Sequence, residues 1–190
     1  MPSIIRPWIG GNSYQMTQLK LVESYDPVLR EIMPPYNLNE DNPVELFENM
    51  KETLVALGGY GLAAPQVGLR HNMFIMGNVN EPESLQAVFN PKLLTVSKET
   101  TILEEGCLSF PGLILKIKRS KSIRVRFTNQ LGETDTFTLN DLTARVFQHE
   151  FDHLNGVLFT KRTTYYHWQK AIKDLAKTSK LRAKASVHIV

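Results

Sequence analysis

The sequence lacks the features that mark secreted and membrane proteins. It contains one cysteine, Cys107, so no disulfide can form within the chain, which fits a reducing compartment. No apolar run approaches the roughly 20 residues of a membrane-spanning helix, and residues 1–15 lack the charged-then-apolar layout of a secretory signal. A hydrophobic content of 42% and a charged content of 22% over 190 residues instead predict one ordinary globular domain.

The most informative stretch runs Gln148-His149-Glu150-Phe151-Asp152-His153. Histidines four residues apart on a helix lie on one face, about 6 Å apart along the axis, so both can bind one ion. A pair of histidines alone is more often structural, on the surface or in the core. The glutamate between them favours a metal site, because its carboxylate can take a proton from metal-bound water.

A catalytic site of this kind needs a third protein ligand. A thermolysin-like site would take a downstream glutamate, but none follows His153, and a metzincin would place its last histidine where Phe159 stands. Cys107 is the upstream candidate. A lone cysteine is usually a small buried hydrophobe, but this one lies in a turn-like stretch with glycine, acid and serine neighbours, and its thiolate would complete the ligand set.

A second unusual stretch is rich in glycine and alanine and spans residues 59–68. It lacks the G-K-[ST] ending of a phosphate-binding loop. A tight turn between a helix and a strand would explain its glycines, which permit close backbone approach. It would not explain Gln66, whose amide could donate a hydrogen bond to a developing oxyanion.

Local patterns predict the fold class. A helix begins after Asn42, a good N-cap, and ends at Gly58. Apolar and polar residues alternate over 113–118 and 123–128, which indicates half-buried strands, and residues 130–133 form a hairpin turn. Further strands are predicted at 73–76, 87–89 and 93–96. We therefore expect an α+β fold with small antiparallel or mixed sheets packed around a central metal-binding helix, and a C-terminal helix.

Three motifs in order carry a family resemblance: Gly59-x-Gly61-Leu62-Ala63-Ala64-Pro65-Gln66, Glu105-Gly106-Cys107-Leu108-Ser109 and Gln148-His149-Glu150-x-Asp152-His153. From about residue 19 to residue 162 the chain resembles the peptide deformylases. The resemblance implies that Cys107, His149 and His153 bind one divalent metal ion. Ferrous iron (Fe2+) is the ion expected physiologically, and Zn2+, Ni2+ or Co2+ can occupy such a site in purified protein.

The implied reaction removes the formyl group from the N-terminal formyl-methionine of newly synthesised polypeptides and releases formate. Glu150 would move the proton, while the Gln66 amide and the Leu108 backbone N–H would hold the formyl oxygen. Leu142 and Val146 precede His149 by seven and three residues, so they share its helix face and would line the methionine pocket. The residues assigned to substrate binding are Gly59, Tyr60, Gly61, Leu103, Glu105, Gly106, Leu142 and Val146.

Two further positions bear on the resemblance. Arg119 matches a family arginine and is expected to pair with Glu105 across the site. A basic residue common in bacterial members after the cysteine motif is replaced here by apolar Leu113 and Ile114, which bears on contacts with the peptide beyond methionine.

The chain divides into three predicted parts. Residues 1–18 are a leader or extension, in which Met16 is an alternative start, residues 19–162 form the catalytic domain, and residues 163–190 form a basic helix and tail. From Lys161 onward the only acid is Asp174. The basic segment is either a solvated final helix or a contact for ribosomal RNA. We expect a monomer without a membrane partner, in the cytoplasm of a bacterial or phage-infected cell in preference to an organelle.

Other functions share parts of this pattern. A zinc endopeptidase would use Glu150 in the same way but would not need Cys107 as a ligand. A non-catalytic metal-binding or ribosome-binding module would have no activity to lose when Glu150 is replaced. An amidohydrolase acting on other acyl groups, such as acetyl, would carry the same motifs.

Overall fold

The computed structural model describes residues 18–39 and 42–186; of the predicted leader, only residue 18 lies within them. The helices are α1 (Pro43–Leu57), α2 (Asp141–Leu154) and α3 (Tyr165–Ser186). The strands are β1 (Gly61–Ala63), β2 (Met73–Met76), β3 (Gln86–Val96), β4 (Thr100–Glu105), β5 (Leu115–Ser120), β6 (Ser122–Thr128) and β7 (Thr134–Asn140).

The strands form two antiparallel sheets. The larger has the order β1-β2-β3-β6-β7, and β4 and β5 form a separate two-stranded ribbon. Helix α2 contacts strands of both sheets, so it lies at the centre of the molecule. The prediction of an α+β fold with small sheets around a central helix is confirmed. No helix in the described ranges is long and apolar enough to cross a membrane.

Helix α1 follows from its local sequence. The Asn42 side chain accepts a hydrogen bond from the Glu45 N–H at 3.1 Å, and Pro43 occupies the first turn, where its missing N–H costs nothing. Gly58 ends the helix with φ of 74°, a conformation that glycine adopts without strain. The buried face of α1 packs against β1, β2 and the first half of β3.

Strand β3 differs from the prediction. The apolar runs at 87–89 and 93–96 belong to one strand, Gln86–Val96, and not to two. Asn90, with φ of 49°, makes an irregularity in the pairing with β6 without ending the strand. Its side chain accepts from the Tyr36 N–H at 2.8 Å and donates to the Tyr36 carbonyl at 2.9 Å, and these long-range bonds hold the irregular backbone.

The two faces of α2 meet different surroundings. Ala144, Phe147 and Leu154 are buried with apolar side chains of the larger sheet, and the Phe147 ring lies edge-on to Phe74 at 5.1 Å. The ribbon side of α2 instead buries polar residues, among them Arg145. Helix α3 also packs against the ribbon, through an apolar cluster that joins Leu115 and Ile117 to Trp168, Ala171 and Leu175.

Candidate metal centre

The predicted metal ligands lie together. His149 and His153 are buried one helical turn apart on α2, and Cys107 follows β4 in the turn after the ribbon strand. The Cys107 Sγ lies 3.3 Å from the His153 Nε2, and one ligand atom from each of the three residues lies within 4.8 Å of the others. Ligand atoms around one tetrahedral ion lie roughly 3.5 Å apart. One thiolate and two imidazoles at these separations fit a single divalent ion.

The surroundings of the two imidazoles differ. The His149 Nδ1 contacts the Glu105 Oε2 at 3.1 Å, which leaves Nε2 facing the centre. Burial lowers the pKa of His149, but its contacts with Cys107 and Glu105 outweigh burial and raise that pKa to about 10. A bound metal ion would have to displace this proton, so metal affinity should depend on pH. Burial and the nearby charge of His149 lower the pKa of His153, which favours the neutral form that binds metals.

Glu105 lies in a network of arginines behind His149. Arg119 donates to both oxygens of Glu105, at 3.0 and 3.1 Å, and also to Asp152 at 2.6 Å. Arg145 donates to Glu105 as well. Burial raises the pKa of Glu105, but hydrogen bonds and charges from His149 and Arg119 outweigh it and lower the pKa to about 2. Glu105 is therefore ionised near neutral pH, and the predicted pairing with Arg119 is present in the structure.

Glu150 has a different environment. It is buried, and its Oε2 has no hydrogen-bond partner among the described residues. Gly61 on β1 packs against it so closely that a Cβ at Gly61 would lie 2.5 Å from the Glu150 Oε1. Burial, opposed in part by the charges of His149 and Arg119, raises the pKa of Glu150 to about 7. A carboxyl group with that pKa can both accept and return a proton near neutral pH.

Gln66 faces the centre with its amide orientation fixed. Its Oε1 accepts a hydrogen bond from the Ala63 N–H at 2.8 Å, so the amide nitrogen must lie on the other side. The Nε2 donates to the Ser109 Oγ at 3.1 Å and lies 3.6 Å from the Cys107 Sγ. The short helical turn Ala64–Val67 holds this buried side chain beside the three predicted metal ligands. Its N–H group can there donate a hydrogen bond to a bound molecule.

A cavity of about 690 Å³ opens onto these groups. Tyr60 and Leu142, each 54% exposed, lie at its mouth. Leu103 is not among the lining residues; it is half exposed on β4, opposite Ile117. The other predicted substrate residues that line the cavity are Gly59, Gly61, Glu105, Gly106 and Val146. Gln66, Leu108 and Glu150 line it too, so the cavity joins a largely apolar chamber to the metal centre.

Comparison with known proteins identifies the family. The sequence pattern of the family described as polypeptide deformylase matches residues 18–167. The chain belongs to this family. The peptide deformylase of Thermotoga petrophila is 46% identical over 158 residues, which cover 82% of this chain and 94% of that protein. The crystal structure of peptide deformylase from Thermotoga maritima, 43% identical, gives a TM-score of 0.73 and covers 78% of this chain and 99% of that one.

A third relative was crystallised with a peptide. The structure of a class I type b peptide deformylase from Acinetobacter baumannii with bound Met-Ala-Ser is 30% identical, with a TM-score of 0.71, and covers 78% of this chain and 99% of that one. Deformylases remove the formyl group from the N-terminus of nascent peptides in a metal-dependent reaction. The chain is therefore a metal-dependent hydrolase of this class, and the ligand group of Cys107, His149 and His153 fits that chemistry.

Sequence reasoning missed two side chains beside the ligands. Arg145 precedes His149 by four residues and so shares the helix face of the ligands, which is the one local indication of its position. The Ser109 hydroxyl accepts a hydrogen bond from the Gln66 amide. No local pattern predicts this contact, because the two residues are 43 positions apart.

Proposed function

We propose that Cys107, His149 and His153 hold one ferrous ion in this deformylase, and that Glu150, Gln66 and Leu108 act directly on the formyl group. The proximity of the three ligand atoms supports the ligand set. A thiolate with two imidazoles also suits Zn2+, Ni2+ and Co2+, and Fe2+ is chosen for its general use in the family. When bound, such an ion supplies an activated water and polarises the formyl oxygen.

Glu150 is the proton carrier in this proposal. It takes a proton from the attacking water and then delivers it to the nitrogen of the leaving methionine, so that formate and a free amine result. The observation that carries this role is its burial beside the ligands with an unpartnered Oε2 and a pKa of about 7. A fully ionised surface glutamate would return the proton much less readily.

Gln66 and Leu108 stabilise the oxyanion. Gln66 and Leu108 both line the cavity, and the Gln66 Nε2 lies 3.6 Å from the Cys107 Sγ. We assign the role of donor to this Nε2 and to the Leu108 backbone N–H. As the formyl carbon becomes tetrahedral, its oxygen gains negative charge and can accept hydrogen bonds from these two donors. Losing one donor of this kind typically costs about 10²–10³ in rate.

The cavity provides the place for the substrate. We assign the methionine side chain to the apolar wall at Leu142 and Val146, and the peptide backbone to an added strand along Gly59, Tyr60 and Gly61. We also assign Glu105 and Gly106, which line the cavity, to substrate binding, with Leu103 half exposed on the neighbouring ribbon strand. Ile114 adds an apolar side chain to the lining of the cavity.

Formate release tests this assignment. The protein is reconstituted anaerobically with Fe2+ and given formyl-Met-Ala-Ser, with acetyl-Met-Ala-Ser as the control for other acyl groups. We expect rapid release from the formyl peptide only, and loss of release in Glu150→Ala at unchanged metal content. Cleavage of the acetyl peptide or of internal bonds would favour the other hydrolases. Parallel loading with Zn2+, Ni2+ and Co2+ tests the choice of ion: the proposal requires Fe2+ to be at least as active as Zn2+.

We further infer that residues 19–162 form the catalytic unit of a monomer that works in the cytoplasm of a bacterial or phage-infected cell. The bacterial origin of the relatives described above supports that location. Sedimentation of the purified chain tests the monomer, since a dimer would double the mass.

We propose that α3 contacts ribosomal RNA. The face of α3 that packs on the ribbon carries Trp168, Ala171 and Leu175. At 100° per residue, the opposite face carries Tyr166 with Lys170, Lys173 and Lys177, all exposed. Lysines in one line with an exposed aromatic ring suit a phosphate backbone with accessible bases.

Co-sedimentation with ribosomes at low salt tests this contact. Replacing Lys170, Lys173 and Lys177 together by glutamine should abolish co-sedimentation and leave formate release intact. The matched control replaces three exposed lysines elsewhere, which are Lys20, Lys92 and Lys98. Equal loss in both triple variants would mean that overall charge, and not this face, drives the association.

A further inference from the structure

Two arginines join the ribbon to α2: one belongs to the ribbon and donates to α2, and the other belongs to α2 and donates to the ribbon. Arg119, on β5, donates to the Asp152 carboxylate of α2 at 2.6 Å. Arg145, on α2, donates back to groups of the ribbon. Both guanidinium groups are buried, with side chains 5% and 6% exposed. Burying two guanidinium charges is costly unless each is paired and its N–H groups are hydrogen-bonded. The contacts of the two arginines therefore indicate what holds the ribbon against α2.

Arg145 reaches both strands of the ribbon at once. Its Nη1 donates to the Glu105 Oε1 at 2.5 Å and to the Ile117 carbonyl at 3.1 Å. Its Nη2 donates to the Thr101 carbonyl at 2.9 Å and to the Thr101 Oγ1 at 3.0 Å. Thr101 and Glu105 belong to β4, and Ile117 belongs to β5. The planar guanidinium therefore fixes the ribbon in both position and orientation relative to α2.

The metal ligands depend on the same two elements. The histidines belong to α2, whereas Cys107 comes two residues after Glu105, where β4 ends. Glu105 also contacts the His149 Nδ1. A shift of the ribbon along α2 would therefore move the Cys107 Sγ away from the histidines and disturb the orientation of His149.

We propose that Arg145 is a positioning residue of the metal centre, which ties the ribbon to α2 and thereby keeps Cys107 within bonding distance of the ion held by His149 and His153. The inference rests on the ligand set proposed above. Arg145 itself binds neither ion nor substrate in this account. Its effect is on how long the ion stays bound and on how closely the thiolate approaches it.

The test measures metal release and the sulfur–metal bond in the cobalt-loaded protein. The release rate is followed with excess chelator, and the thiolate-to-cobalt charge-transfer absorption reports the bond. Partners behind metal ligands typically contribute about 10–100-fold to metal affinity. We expect Arg145→Met to release cobalt about 10–100-fold faster, with a weaker charge-transfer band. Arg145→Lys should be intermediate, because an ammonium group can reach Glu105 but cannot also satisfy Thr101 and Ile117.

Matched variants separate this role from general destabilisation. Arg124→Met makes the same change at an exposed arginine of β6 and should leave the release rate and the band unchanged. If Arg145→Met lacks the circular dichroism of the folded protein, Arg145→Lys and Thr101→Val decide: faster release in either supports the inference, and wild-type release in both overturns it.

Cys107→Ser keeps the two proposals distinguishable. Loss of the charge-transfer band in this variant supports Cys107 as a ligand. With that band dependent on Cys107, wild-type release and absorption in folded Arg145→Met would overturn the positioning role alone. A band that survives in Cys107→Ser would overturn the ligand set, and the inference with it.

Discussion

A buried glutamate lies on each side of the metal centre, and the pKa values of the two are shifted in opposite directions. On the ribbon side, Glu105 receives hydrogen bonds from Arg119 and Arg145 and contacts His149, and its pKa falls to about 2. On the β1 side, Glu150 is just as buried, but its pKa rises to about 7. The difference shows that burial alone does not decide the role of a carboxylate. The donors around it decide whether it is a fixed charge or a proton carrier.

The local sequence on each side explains the contrast. The ribbon side carries arginines from β5 and from α2, which point at one carboxylate. The β1 side carries Gly61, whose missing side chain leaves the space that the Glu150 carboxylate occupies and adds no donor there. Gly61 therefore allows the Glu150 carboxylate to lie close to the ligands, as its proposed role in proton transfer requires.

The largest effect should come from removing Glu150, the proton carrier in our proposal. Glu150→Gln keeps the size of the side chain but cannot accept a proton, so kcat for formate release should fall about 10²–10⁴-fold. Metal content, measured by atomic absorption, should stay at the wild-type level because Glu150 is not a ligand in our assignment. Loss of the metal in this variant would contradict that assignment.

A smaller effect, of a different kind, is expected on the ribbon side. Glu105→Gln removes the anion that pairs with Arg119 and Arg145 and orients His149, so metal affinity should fall about 10–100-fold. At saturating metal, kcat should recover more fully than in Glu150→Gln. Glu104→Gln, one residue earlier and exposed, is the matched control. Equal metal affinity in Glu105→Gln and wild type would remove the distinction between the two sides.

The sequence predicts the parts of this centre that depend on local spacing. His149 and His153 are adjacent because a helix repeats every 3.6 residues, and the cap at Asn42 predicts α1 for equally local reasons. Cys107 lies 42 positions before His149, and it was a candidate ligand because the histidine pair lacked a third one. The ordered motifs then supported it. Spacing and ordered motifs can therefore predict, without a structure, that these three side chains lie together.

The parts that escaped prediction depend on long-range pairing. Arg145 contacts Thr101, Glu105 and Ile117, between 28 and 44 positions away, and only the pairing of β4 with β5 brings those acceptors together. The continuity of β3 through Asn90 depends in the same way on Tyr36, 54 positions earlier. Because such contacts leave no periodic pattern in the sequence, the residues that support the site are harder to predict than the residues that perform the reaction.

The smallest effect concerns the stability of the metal-free protein at different pH values. Because burial raises the pKa of Glu150 from 4.5 to about 7, the folded state binds this proton more tightly than the unfolded chain. The resulting stabilisation is complete below pH 4.5 and is lost as the pH rises to about 7, by at most about 1.4 kcal/mol per pH unit. Glu105 behaves oppositely: its lowered pKa contributes stability that is complete above pH 4.5 and is lost only as the pH falls toward 2.

Urea unfolding of wild type and Glu150→Gln between about pH 5 and about pH 7 therefore isolates the contribution of Glu150 to the free energy of unfolding. The other ionisable groups are present in both proteins, so most of their contribution cancels in the difference. We expect the stability advantage of the wild type over the variant to shrink as the pH rises. Parallel curves for wild type and Glu150→Gln would mean that Glu150 is already ionised at pH 5. In that case both carboxylates would be ionised over this pH range, and Glu150 would lack the raised pKa on which the contrast between the two sides rests.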